Sequence, residues 1–318
     1  MASPKRILIT TGDPDGIGWE VTAKALARLG PRKDTQFFFF RHVSAAKSAP
    51  SLARAFRREV YSSLEQAVAE KFDPKVAVEI RSAKPAALWV EDATKACLRK
   101  QFHALVTAPL SKTSIIQAGL RDIGHTEILA RVSNAQDLFM GFLGAKFSVV
   151  LMTGHEPLAR AVGGFTARKL QAGLKAGDQL RSLLPKAKRR LPMAVVGMNP
   201  HAGEQGLLGR EESWMFRELE RAESEFGQVA GPLVPDAAFL PPNWRKFSVY
   251  LCPYHDQGLI PFKMVHGFKS GVHLTLGLPF VRTSVDHGTA KDLFGKNKAE
   301  PGSMVDAIKT AMRLAQEN

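Results

Sequence analysis

Three histidines stand at one distance from three apolar runs. The run 147–152 (FSVVLM) leads through Thr153 and Gly154 to His155. The run 193–198 (MAVVGM) leads through Asn199 and Pro200 to His201, and 247–252 (FSVYLC) through Pro253 and Tyr254 to His255. Runs of this kind read as buried strands of an open α/β sheet, whose ligands bind outside the carboxyl ends of the strands. Neutral imidazole is the commonest protein ligand for zinc, and it suits cobalt and nickel. Three protein ligands with a fourth position open is the pattern of a catalytic metal. The bland alternative is three unrelated loop histidines among the nine in the chain. The shared offset, each time beside a glycine or proline, favours one site.

Other polar residues follow strands or open helices. Asp256, next to His255, is placed either to accept from a metal-bound imidazole or to act as a general base. Lys263 lies eight residues past His255, and Arg282 ends the run GLPFVR. A lysine and an arginine near a metal suit a substrate carrying phosphate and carboxylate. The turn GDPDGIG (12–18) offers backbone N–H groups at a helix start, but it is neither a Rossmann fingerprint nor a P-loop. His125 and Thr126, in GHTE, add an imidazole and a hydroxyl. The loop SVDHGTA (284–290) either binds a cofactor or caps the last helix.

These residues need a scaffold, and the pattern supplies one. Strands are predicted at 6–10, 36–40, 104–107, 147–152, 193–198, 247–252 and 279–285. Helices are predicted at 19–29, 64–70, 90–101, 166–184, 211–226 and 303–315. Their alternation reads as βαβ units in a mostly parallel sheet. A chain of 318 residues holds one large or two medium domains. Cys97 and Cys252 make no disulfide framework, and the N-terminus carries no signal-like apolar segment, so a cytoplasmic location is expected. No apolar run approaches membrane-spanning length. The net charge of +14 favours anionic partners. Zinc-finger spacing and RNA-binding aromatic signatures are absent, which leaves a phosphorylated small molecule ahead of nucleic acid.

Taken in order, GDPDGIG, TAPLSK (107–112), GHTE, NPHAGE, YHDQGL and TLGLPFVRTSVDHGTA (275–290) are specific. The chain resembles the 4-hydroxythreonine-4-phosphate dehydrogenase family of pyridoxal phosphate biosynthesis, from about residue 10 to 303. The resemblance implies an isocitrate/isopropylmalate dehydrogenase-like fold: two α/β/α domains with an active-site cleft between them. Their expected extents are 1–118 with 288–318, and 119–287. It implies a homodimer with shared active sites, and one divalent metal per site (zinc, cobalt or magnesium) on His155, His201 and His255. His255 is expected on the chain opposite His155 and His201. His125, Thr126, Lys263, His273 and Arg282 are the implied substrate contacts, with Asp256 and Lys263 catalytic. Asp286, His287, Gly288, Thr289 and Ala290 are implied to contact NAD, or NADP. This fold binds the dinucleotide without the Rossmann glycines.

The implied reaction oxidises the C3 hydroxyl of 4-phosphooxy-L-threonine to a 3-oxo acid, which decarboxylates to 3-amino-2-oxopropyl phosphate. Four features depart from the family pattern. His273 stands where asparagine is common, Thr11 where proline is, and Asp15 where a small residue is; the stretch 263–271 is one residue longer. The first of these points to an alternative, a dehydrogenase of phosphorylated sugar acids such as 4-phosphothreonate or 4-phosphoerythronate. A remoter alternative is a basic nucleic-acid-binding protein with a structural metal.

Overall fold

The computed structural model describes residues 5–44, 55–267 and 271–317. Part of the lengthened stretch, 268–270, lies outside the described residues. Twelve strands are described: β1 (Lys5–Thr10), β2 (Thr35–His42), β3 (Arg57–Tyr61), β4 (Val76–Ser82), β5 (Ala104–Thr107), β6 (Phe139–Gly144), β7 (Val149–Leu151), β8 (Met193–Val196), β9 (Val229–Leu233), β10 (Tyr250–Cys252), β11 (Gly271–Leu276) and β12 (Val281–Ser284). The principal helices are α1 (Gly18–Leu29), α2 (Ala86–Leu98), α3 (His125–Ser133), α4 (Ala167–Ser182), α5 (Glu211–Phe226), α6 (His255–His266) and α7 (Gly302–Glu317). No helix among the described residues is long and apolar enough to cross a membrane.

The chain divides into two compact units. One is 1–138 with 278–318, the other 139–277. The first is thus discontinuous, but it divides later and resumes earlier than the expected 118 and 288. Two packing facts account for the difference. Ile128 and Leu129 of α3 bury in the same core as Trp89 of α2, and β12 pairs with β5 from Val281↔Ala104 to Ser284↔Thr107.

In the first unit the strand order is β3-β4-β2-β1-β5-β12, every pair parallel. Strands covered on both faces must be apolar throughout, and β2 carries four consecutive phenylalanines, Phe37 to Phe40, all buried. Phe40 stacks on Trp89 at 5.6 Å. In the second unit the order is β11-β6-β7-β10-β8-β9. Here β6 is antiparallel to both β11 and β7, and the rest are parallel. Phe142, Phe147, Tyr250 and Phe262 lie in its core. The Thr166 hydroxyl caps α4 by accepting the Lys169 N–H, as a threonine at a helix start commonly does.

Candidate active site

In the second unit the three predicted runs shorten to β7, β8 and β10, and each histidine follows its strand in a loop or at a helix start. The ends of β7 and β10 are locked together. Met152 N donates to Cys252 O at 2.8 Å, and Thr153 Oγ1 to Pro253 O at 2.9 Å. The rings of His155 and His255 therefore meet, 4.9 Å between centroids. His255 opens α6, and its Nδ1 bonds Asp256 Oδ1 at 2.8 Å. That carboxylate accepts a hydrogen bond from Nδ1–H, which leaves the Nε2 lone pair for a ligand, the arrangement that orients metal-binding imidazoles. Asp256, read from sequence as a possible base, thus has its carboxylate engaged in holding His255.

His201 sits differently. After β8 and Asn199 the stretch Pro200–Gly206 winds tightly, and His201, Ala202, Gly203, Glu204 and Gln205 all have φ between +43° and +77°. Four of the five are not glycine, and a left-handed residue with a Cβ costs about 1–2 kcal/mol. Buried Glu212, in the first turn of α5, holds the start of this turn. It accepts the N–H groups of Met198 and Asn199, both at 2.7 Å, and the Asn199 side-chain amide at 2.9 Å. Glu211 takes the same amide at 2.7 Å. His201 is exposed at the tip.

Among the described residues no group of three or more His, Cys, Asp or Glu side chains is disposed to hold a metal. The structure brings His155 to His255 and leaves His201 apart. Strand order separates only His155 from His201: β10 lies between β7 and β8, so the ends of β7 and β8 are two strand spacings apart, about 9–10 Å, while β10 adjoins both, and His201 stands out on its tightly wound turn.

Lys263 is exposed on α6, two turns beyond His255. His273, in β11, is half-buried and stacks on Phe142, its partner in β6, at 4.9 Å.

In the first unit the candidate residues gather at the ends of β1, β5 and β12. Arg282 of β12 is buried, and its Nη2 donates to Thr107 Oγ1 of β5 at 2.5 Å. Burial pushes its guanidinium down to about 9. His125 opens α3. Burial first, then the Arg282 cation, pushes it down to about 3, against the Ala108 carbonyl that accepts from its ring. It is neutral at pH 7, and its Nε2 is enclosed without a hydrogen-bond partner among the described residues. Thr126 follows, half-buried.

The GDPDGIG turn packs hard against β5 and the 286–290 loop. A Cβ on Gly12 (φ +68°) would lie 2.1 Å from Pro109 O. Thr11, where proline is common, donates its hydroxyl to Phe40 O at 2.7 Å. Ile17 N donates to Thr289 O at 3.0 Å. Asp15 pairs with Lys291 at 2.8 Å, so this departure from the family pattern is matched by a cation. Asp286 is held by Ser303, which donates to its carboxylate at 2.7 Å. His287 Nδ1 lies 2.9 Å from Gly288 O, and Ala290 has φ +41°. Lys291 and Glu212 escaped the sequence reading. The paired acids at the start of α5, just after NPHAG, were the available signal for the second.

Comparison with known proteins places this architecture. The model of the family described as "Pyridoxal phosphate biosynthetic protein PdxA" matches residues 34–311. The chain is 37% identical to the 4-hydroxythreonine-4-phosphate dehydrogenase of Aquifex aeolicus, over 96% of this chain and 97% of that one. It is 33% identical to the D-threonate 4-phosphate dehydrogenase of Salmonella typhimurium, over 98% and 99%. The crystal structure of the Klebsiella pneumoniae 4-hydroxythreonine-4-phosphate dehydrogenase superposes with a TM-score of 0.81 at 29% identity, covering 99% of each chain. Likeness of fold alone extends to isocitrate dehydrogenase from Methylococcus capsulatus, with a TM-score of 0.53 at 14% identity, over 98% of this chain and 88% of that one. The fold is α/β of the isocitrate dehydrogenase-like kind, and the chain belongs to the PdxA family of pyridoxal phosphate biosynthetic proteins.

Proposed function

We propose that this protein is an NAD-dependent dehydrogenase that oxidises the C3 hydroxyl of 4-phosphooxy-L-threonine. The observation that carries this reading is the His155–His255 pair at the ends of adjacent parallel strands, with Asp256 fixing one ring, in a chain of this family. C3 loses its hydrogen as hydride and its hydroxyl proton to a base, giving a 3-oxo acid. The C1 carboxylate then leaves as CO2, its bonding electrons pass to C2, and protonation there gives 3-amino-2-oxopropyl phosphate.

His155, His201 and His255 are the residues that would hold a divalent metal, zinc, cobalt or magnesium, and the donor set fits: an imidazole whose Nδ1 is fixed by Asp256 stands beside a second imidazole. Such a metal supplies Lewis-acid polarisation of the substrate oxygens. NAD supplies the hydride acceptor, with NADP the alternative. Arg282, set by Thr107, takes an anionic end of the substrate as a fixed fork of donors. His125 stays neutral beside it, its ring N–H given to the Ala108 carbonyl and its Nε2 left to accept from a substrate hydroxyl, without adding to the buried charge. Thr126 adds a hydroxyl. Lys263 holds a second anionic group and is the candidate catalytic cation; His273 lines the substrate. Asp286, His287, Gly288, Thr289 and Ala290 receive the cofactor, on a loop fixed by Ile17, Ser303 and Lys291.

The protein works as a homodimer with shared sites in the cytoplasm, with no nucleic-acid or membrane partner. The exposure of Ile260 (59%) and Met264 (81%), one turn apart on the helix that carries His255, supports a second copy covering that face. Family membership displaces the nucleic-acid reading of the basic composition. A second reading is oxidation of a phosphorylated sugar acid, favoured by His273 at the position where asparagine is common. Purified protein, metal and NAD, assayed for NADH with 4-phosphooxy-L-threonine, 4-phospho-D-threonate and 4-phosphoerythronate, separates the two. Chelation should abolish turnover and added metal restore it. No NADH from any of the three would refute both readings.

A further inference from the structure

The three strand ends that carry the histidines are joined unevenly. Between β7 and β10 the ladder runs to Leu151↔Cys252, and the Thr153 hydroxyl extends it onto Pro253. Between β10 and β8 it ends one residue sooner, at Leu251↔Val195. Past that point a side chain links the two segments. Gln257 Nε2, in the first turn of α6, donates to the carbonyl of Gly197, the residue that follows β8, at 2.6 Å. Gln257 is buried, and no step above uses it.

Both ends of this bond are fixed. α6 starts close against the sheet, where a Cβ on Gly258 would lie 2.6 Å from the Leu151 side chain and 3.0 Å from Cys252 Sγ. Gly197 N donates to Leu233 O of β9 at 2.8 Å. A Cβ on Gly197 would lie 3.1 Å from that of Ala202, the buried neighbour of His201 in the wound turn. Gly197 therefore meets that turn twice, by chain continuity and through Ala202. Glu212 grips the next two N–H groups, those of Met198 and Asn199.

The acceptor decides how the Gln257 amide is oriented, since a flipped amide would set Oε1 against the Gly197 carbonyl. As placed, Oε1 is enclosed with no hydrogen-bond partner among the described residues. An enclosed oxygen without a donor is destabilising, and methionine would fill a similar space without one. For packing alone glutamine is the poorer residue. What methionine lacks is the N–H, and that N–H holds the approach to His201 against the helix that begins with His255.

We propose that Gln257 is a positioning residue for the metal ligands: its bond to Gly197 sets the His201 turn relative to the start of α6. This holds whether His201 serves the same ion as His255 or that of a second subunit, and it rests on the reading of the three histidines as ligands.

The test is the zinc Kd of the whole protein, stripped of metal and titrated in competition with a chromophoric chelator, alongside urea unfolding of the stripped protein. Gln257→Met removes the N–H and the unpartnered oxygen together. Its unfolding midpoint should stay within about 0.5 M of wild type. Its zinc Kd should rise at least about tenfold, the usual effect of losing a residue that orients a ligand. The visible absorption of the cobalt(II)-loaded variant should differ from wild type, because the ligand geometry changes. Gln257→Glu keeps the shape and a buried oxygen but has no N–H to give, and it should weaken zinc binding at least as much. Zinc held as tightly as in wild type by both variants, but lost from His155→Ala, would overturn the positioning role and leave the metal reading standing. Zinc held no better by wild type than by His155→Ala would overturn both. Unfolding of both variants without metal would assign Gln257 to the fold alone and overturn the positioning role.

Discussion

The rings of His155 and His255 lie 4.9 Å apart on one chain, held there by the Thr153 hydroxyl on the Pro253 carbonyl. If the metal takes a ligand from each subunit, this pair stays together and His201 comes from the partner. Each of His155→Ala, His201→Ala and His255→Ala should then lose metal and turnover while remaining folded. Mixing His155→Ala with His201→Ala under subunit exchange should restore roughly a quarter of wild-type activity, because half the dimers are mixed and each has one whole site. His155→Ala mixed with His255→Ala should not recover. The reverse pattern, measured with mixed dimers verified by mass spectrometry, would reassign the ligands.

Glu212 holds the turn before His201 by accepting three N–H groups. Glu212→Gln sets an amide NH2 against that of Asn199 and removes the charge. Urea unfolding should show a loss of about 1–3 kcal/mol. Metal affinity should fall as well, since the strained turn loses its anchor. Retained affinity in the variant would separate the anchor from the ligand.

Gly12→Ala places a Cβ 2.1 Å from Pro109 O at a positive φ. The carbonyl is backbone and cannot move aside, so the variant should lose at least ~2 kcal/mol of stability. Thermal unfolding measures it. An unchanged Tm would mean that the turn relaxes.

His125 has a folded value of about 3, against about 6.5 when unfolded. Between these values the unfolded chain binds a proton that the folded chain refuses, so stability falls as pH drops through this window and is fully present above it. His125→Asn removes this contribution. Its stability profile should be flatter than wild type over the same window, by urea unfolding at a series of pH values. Parallel profiles would show that His125 titrates normally.

His273→Asn gives up the stack on Phe142, worth about 0.5–1.5 kcal/mol. It should also shift the ratio of kcat/KM between 4-phosphooxy-L-threonine and 4-phospho-D-threonate, with metal content unchanged. A constant ratio would confine His273 to packing.

The sequence by itself determined seven of the twelve described strands and which residues follow them. Continuous apolar runs such as Phe37 to Phe40 and 247–252 announce strands covered on both faces, and the fixed offset of His155, His201 and His255 marks carboxyl ends. The weaker strands were not legible. β3 reads RREVY because it is a charged, half-exposed edge, and α6 was hidden by Pro261 within it. Lateral order was not legible either, because strand pairing joins segments a hundred residues apart and leaves no local period. Only the tertiary structure decided that β10 stands between β7 and β8 and so sets His255 beside His155. It also decided that Glu212 anchors the turn before His201, that Lys291 answers Asp15, and that Gln257 ties Gly197 to α6, since each of these is a contact between residues whose nearness the folded sheet creates.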